Sequence, residues 1–230
     1  MGGRAGGGAS AGMGKGSRSG RFQVEVRGAV SEADVKRITD AAKDILSEEK
    51  NVDLKKLIIT DESLNHNGKE VYGLATPGEK RVILTAGSDY RDVAHELGHL
   101  IPAKEKIDFD KQIRDFKRMN KGHLNERGPK GVLERLEKRK AAYNAEYNKH
   151  KALNDQINQI YKEFKGNGRS MAFSDYAWRG GFNEFAAEAF AHAKSLQKAY
   201  KEGRVKGGGS FNASGSLPVR AFRVMKNYKK

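Results

Sequence analysis

The pentapeptide His95-Glu96-Leu97-Gly98-His99 constrains this chain more than any other feature. Its two histidines converge on one point only if the segment is helical, because residues four apart share a helix face one turn from each other. Glu96 then projects about 100° round from His95. The flanks prescribe the same helix. Ser88 and Asp89 suit its N-terminus, and Val93, Leu97, Leu100 and Ile101 supply a buried stripe that carries it to Ile101. Gly98 leaves the helix surface bare beside the imidazoles.

The chain has no cysteine. That excludes a disulfide scaffold, a cysteine-ligated iron–sulfur cluster and a cysteine zinc site. A metal must then rest on imidazole and carboxylate. Two histidines bracketing a glutamate is a known pattern of zinc metalloproteases, in which the imidazoles hold the ion and the glutamate acts as general base. A catalytic zinc needs a third protein ligand and one open position. A closely following third histidine would call for glycine at 102 and histidine at 105, where this chain has Pro102 and Glu105. Glu105, in Lys104-Glu105-Lys106, reads better as a solvated surface charge than as a ligand. A later helix is the better source: Asn183-Glu184-Phe185-Ala186-Ala187-Glu188-Ala189-Phe190 puts Glu184 and Glu188 on one face. Two acids on an apolar, alanine-rich helix are costly without a partner, and an ion with its histidines is such a partner. The bland alternative is a surface helix with two acids. His66, His123 and His150 read as surface histidines, and His192 lies two turns beyond Glu184 on the same face.

Around the motif the signals alternate between strand and helix. Phe22–Val26 reads as a strand, and Ser31 with Asp34 opens a helix to about Glu49. Leu57–Thr60 reads as a strand and Asn65–Gly68 as a turn. Glu70–Leu74 and Arg81–Thr85 flank Thr76-Pro77-Gly78-Glu79 as a hairpin. Residues 103–168 change character. Ile107, Phe109, Ile113 and Phe116 predict one helix, Gly128-Pro129 breaks it, and a long helix runs from Gly131 to about Lys165 with a polar gap after Tyr147. This predicts a charged helical hairpin inserted into the domain, either a substrate-recognition arm or a solvated structural insertion. A further helix runs from Phe182 to about Glu202. The expected organisation is a disordered, Gly-rich basic tail over 1–20, an α+β domain over 21–203 with its insertion at 103–168, and a flexible linker with a basic tail over 204–230.

The charged fraction of 32% exceeds what a compact core requires, and the net charge is +15. Arg4, Lys15, Arg18 and Arg21 stand in an N-terminal stretch without acids, and Arg220, Arg223, Lys226, Lys229 and Lys230 stand together at the other end. Such tails suit non-specific nucleic-acid binding through counterion release, or solubility alone. No stretch approaches the ~20 apolar residues of a membrane span, and the first twenty residues lack the apolar core of a signal peptide. No membrane partner is expected. The expected address is the cytoplasm, a virion, or a delivered effector.

His95-Glu96-x-x-His99 with a downstream Glu184-x-x-x-Glu188 resembles the glutamate-zincins. The run Glu184–Phe190 is similar to the catalytic domain of anthrax lethal factor and its relatives in bacterial toxins and phage. The resemblance implies a zincin-like α+β metallopeptidase domain with a small mixed sheet, holding one zinc ion per chain on His95, His99 and Glu184. It implies Glu96 as general base and Glu188 as the acceptor that orients a ligand histidine. A tyrosine shortly before the glutamate helix stabilises the tetrahedral intermediate in that family. Tyr176 matches in kind at slightly longer spacing, and Trp178 and Arg179 are placed to line a cleft. The implied reaction is hydrolysis of a peptide bond in a protein or peptide substrate. Zincins pair the extended substrate with an edge strand, for which Gly73-Leu74-Ala75 and Val82-Ile83-Leu84 both offer themselves. The resemblance covers the two motif helices and the segment before the second, and neither the tails nor the insertion. The rival reading is a non-enzymatic phage or virion structural protein, associated with nucleic acid, that uses a zincin-like scaffold and basic tails.

Overall fold

Phe22–Arg27 (β2) and Lys56–Thr60 (β3) are joined by the helix Glu32–Glu48 (α1) and pair in parallel, with Val24 beside Leu57 and Val26 beside Ile59. The computed structural model describes residues 17–19, 22–66, 68–169, 173–205 and 215–228. The fold is α+β. It divides into two units, residues 1–100 and 101–230, where the sequence predicts one domain carrying an insertion.

In the first unit, five strands form a mixed sheet in the order β1-β2-β3-β7-β6. Ser17–Ser19 (β1) pairs antiparallel with β2, so these three residues belong to the sheet and not to a disordered tail; the rest of the expected tail lies outside the described residues. Arg81–Thr85 (β7) runs parallel to β3, and Gly73–Thr76 (β6) runs antiparallel to β7. The turn between β6 and β7 is a 3₁₀ turn at Pro77–Glu79, closed by Lys80 in the left-handed region at φ 54°. Leu64–His66 (β4) and Lys69–Val71 (β5) make a separate two-stranded ribbon. Of the two strands offered for substrate pairing, β7 is hydrogen-bonded on both sides, so among the described residues only β6 keeps an edge. The central strand β3 buries Leu57, Ile58 and Ile59 almost completely, as a strand covered on both faces does. Ile38, Ala42 and Ile45 of α1 join that core.

The second unit is helical. Phe109–Met119 (α3), Arg127–Lys149 (α4), Lys151–Gly166 (α5), the short Asp175–Arg179 (α6), Gly181–Lys201 (α7) and Leu217–Asn227 (α8) follow in order. Gly128-Pro129 does not break a helix but starts one: Pro129 sits in the first turn of α4, where no backbone donor is needed. The long helix expected to Lys165 is interrupted at His150, whose φ of −127° leaves the helical region. Asn154 explains the interruption. Its side-chain nitrogen donates to the Tyr147 carbonyl at 2.7 Å, satisfying an acceptor that a continuous helix would otherwise engage. Its oxygen accepts from the Lys104 amide at 2.9 Å. Asn158 accepts from the Lys106 amide at 2.7 Å and donates to the Lys104 carbonyl at 2.8 Å. The segment after the motif helix is thereby pinned along α5. Within 103–168, α5 belongs to the core and buries Leu153, Ile157, Ile160 and Phe164, whereas α4 buries only Tyr147.

The expected flexible linker and basic tail over 204–230 is also corrected in its described C-terminal part, with 206–214 and 229–230 lying outside the described residues. Residues 217–227 form α8, which packs on α7 and α5 and buries Val219, Ala221, Phe222 and Met225. The basic residues obscured an apolar stripe at helical spacing, and Pro218 in the first turn fits a helix start. Rings of Tyr161, Phe164, Phe173, Phe182 and Phe185 cluster around α5 and α7 at centroid separations of 4.9–6.5 Å. Among the described residues no helix is long and apolar enough to cross a membrane.

Candidate metal centre

The motif helix Tyr90–Gly98 (α2) is fixed at its start from several directions. Asp89 Oδ1 accepts from the Arg91 and Asp92 amides at 2.7 and 2.9 Å, and Asp92 Oδ2 accepts from the Asp89 amide at 2.8 Å, a reciprocal cap. Burial pushes the Asp92 carboxyl above the ordinary carboxylate range. Tyr90 donates to Asp44 of α1 at 2.9 Å, and burial together with that carboxylate raises its phenol. Ser88 Oγ donates to the Tyr72 carbonyl at 2.9 Å, and the Arg37 guanidinium donates to the carbonyls of Ser88 and Ala86. Val93, Ala94 and Leu97 are buried, so the opposite face of α2 is set by packing.

That packing presents the two histidines together. Their Nε2 atoms lie 3.2 Å apart, with ring centroids 4.8 Å apart and planes at 83°. A tetrahedral zinc with Zn–N bonds of ~2.0–2.1 Å sets two ligand nitrogens about 3.3 Å apart. The pair therefore fits one ion without rearrangement. His99 still has helical backbone, φ −64° and ψ −20°, so the last turn holds both rings in register.

Glu96 is buried at 8% exposure and lies against β6. A Cβ built on Gly73 would sit 2.4 Å from Glu96 Cγ and 2.9 Å from its Cδ and Oε1. Strand and helix meet here because Gly73 is paired with Leu84 in the face that α2 covers.

In the second unit, Glu184 and Glu188 lie on α7, Glu188 buried at 6% exposure and Glu184 half-buried. Glu184 folds back over the helix start, where a Cβ on Gly180 would lie 2.2 Å from its Cγ and 3.0 Å from the Tyr176 carbonyl oxygen. Tyr176 is on α6 with 52% exposure. Asp175 takes both Arg169 and Arg179, and its carboxyl is held below the usual range chiefly by the Arg169 hydrogen bonds. Trp178 belongs to the aromatic cluster: its ring is 5.5 Å from that of Phe164, and the Lys165 ammonium lies 4.4 Å from its centroid. Glu105 is exposed, and its backbone carbonyl accepts from the Tyr143 hydroxyl at 2.6 Å. His66 is exposed in β4, His123 bonds Glu126 at 2.6 Å, and His150 bonds the Tyr228 hydroxyl at 2.8 Å. The His192 ring lies 6.0 Å from that of Phe173.

Gly73 and Gly180 escape the sequence reading. Each lies under a carboxylate that the motifs single out. The only trace in the sequence is a glycine inside a strand pattern and a glycine pair just before a helix.

No protein-family model matches the chain, and comparison with curated proteins and with solved structures finds no match.

Proposed function

We propose that the protein is a zinc-dependent metalloendopeptidase with a zincin-like domain similar to that of the lethal-factor group. The observation that carries the proposal is the His95–His99 pair, with Nε2 atoms at 3.2 Å, next to a buried glutamate on the same helix. In this reading His95 and His99 are two ligands of the ion and Glu184 is the third. Three ligands without thiolate suit a catalytic zinc, one per chain.

These residues would hold a zinc ion, which when bound would supply Lewis acidity. The remaining work falls to the chain. Glu96 accepts the proton of the attacking water on its carboxylate and passes it to the leaving amine. The Tyr176 hydroxyl donates to the oxygen on which charge develops. Glu188 orients a ligand imidazole by accepting its second N–H. Strand β6 offers its unpaired edge to the extended substrate backbone, beside the helix that carries Glu96.

Zinc analysis of the purified protein, paired with cleavage of a degenerate peptide library, tests the proposal. Wild type holds about one zinc per chain and cleaves. His99→Ala loses the zinc. Glu96→Gln keeps it and loses at least ~10²-fold in rate, because only the base is removed. Tyr176→Phe keeps zinc and loses on the order of 10²-fold. Cleavage that survives Glu96→Gln unaltered refutes the mechanism. A protein that binds no zinc refutes the metal centre and returns the chain to the scaffold reading, in which its basic residues bind nucleic acid.

A further inference from the structure

Gly73 has no conformational reason to be glycine. It sits in an antiparallel strand and is not among the residues with positive φ. Any L-residue can adopt such a backbone, and glycine inside a strand is unfavourable relative to alanine. It is also buried, so solvent exposure does not explain it. What a side chain would meet is specific. The three nearest atoms to a Cβ at this position all belong to Glu96: Cγ at 2.4 Å, Cδ and Oε1 at 2.9 Å. No backbone atom and no core side chain comes closer. The glycine therefore makes room for one carboxylate.

We infer that Gly73 is a positioning residue for Glu96, its bare Cα forming the seat that holds the general base of the proposed peptidase beside its metal ligands. The inference deepens the proposed function and rests on it for the word base; the seat itself rests on geometry alone. The contact is with the Glu96 side chain from Cγ outward, atoms that rotation about its Cα–Cβ bond moves. A methyl group at position 73 therefore displaces the carboxylate by rotation about its own bonds and leaves the helix and the His95–His99 pair in place. Misplacing a reacting group by about 1 Å costs on the order of 10²-fold in rate.

The test compares wild type, Gly73→Ala, Glu96→Gln and the double variant Gly73→Ala/Glu96→Gln for zinc content, kcat and KM on the peptide library. Gly73→Ala is expected to keep full zinc and KM while kcat falls about 10²-fold. In the Glu96→Gln background the same change is expected to cost nothing further, because the group it acts through is already disabled. Wild-type kcat in Gly73→Ala, or an equal additional loss in both backgrounds, overturns the inference. If the wild type cleaves nothing, the proposed function fails and the seat is decided by thermal unfolding of the metal-free protein. Gly73→Ala must then lower Tm by about 2 °C or more relative to its effect in Glu96→Ala, which removes the clashing atoms. Equal shifts in the two backgrounds overturn it.

Discussion

A carboxylate that lies on a glycine has its position set from below as well as by what it binds. Glu184 shows this a second time. A methyl group on Gly180 would meet Glu184 Cβ at 2.5 Å and the Tyr176 carbonyl oxygen at 3.0 Å, atoms that cannot swing away as a side-chain tip can. Gly180→Ala is therefore expected to shift the start of α7 itself. It should lower Tm and weaken zinc binding together, whereas Glu184→Ala should weaken zinc and change the stability of the metal-free protein by no more than a few tenths of a kcal/mol. Zinc titration and metal-free melting of both variants read the difference. Equal Tm losses would show that the Glu184 side chain itself holds the start of α7. His95, Glu96 and His99 were legible because their spacing alone fixes a shared helix turn. The two glycines were not, because a glycine's use depends on which atom from another element stands over it, and spacing does not carry that.

At the scale of elements, the break between α4 and α5 depends on one amide. Asn154 is fully buried and serves the Lys104 amide and the Tyr147 carbonyl at once. Asn154→Leu keeps the volume, strands the Lys104 amide at about 1–3 kcal/mol, and leaves the Tyr147 carbonyl with the His150 amide alone. A loss in Tm of several degrees is expected, read by calorimetry; an unchanged Tm would mean that α4 and α5 rejoin as one helix. Tyr147 donates to Asp155 at 2.8 Å beside the same break. Lys151 first, then this hydroxyl, holds the Asp155 carboxyl below its usual range. A depressed carboxyl contributes stability that is present above its unfolded pKa and lost as pH falls through the folded one. Asp155→Asn should accordingly lower stability at neutral pH and converge with wild type as the pH falls through the folded pKa, which flattens the acid side of the stability profile. Strands β2, β3 and β7 and helices α1, α2 and α7 were readable from alternation and caps, whereas the strand read at Glu70–Leu74 is divided between β5 and β6. The α4–α5 break was not: a polar gap in a helical pattern marks where a helix is weak, and the buried Asn154 that ends it looks in sequence like any solvated asparagine.

For the molecule as a whole, the balance of charge misled where a few apolar residues decide. The terminal segment carries Arg220, Arg223 and Lys226, yet Val219, Phe222 and Met225 are almost fully buried against α7 and α5. The Phe222 ring lies 5.7 Å from that of Phe190, one and a half turns beyond Glu184 on α7. Phe222→Ala is expected to cost about 3–5 kcal/mol, and removing residues 216–230 more. Chemical denaturation of both variants checks this, and a truncated chain as stable as the full one would mean that α8 is not part of the core.

The late place of α8 in the chain also orders events in time. At a synthesis rate of ~5–20 residues per second, the paired imidazoles of α2 exist roughly 6–25 s before residue 225 is made and α7 can be covered. A nascent chain thus carries two of its three proposed ligands well before the helical core around Glu184 can be finished. On the proposed function, a chain arrested before α8 should neither hold stoichiometric zinc nor cleave, because the helix that carries Glu184 is still uncovered.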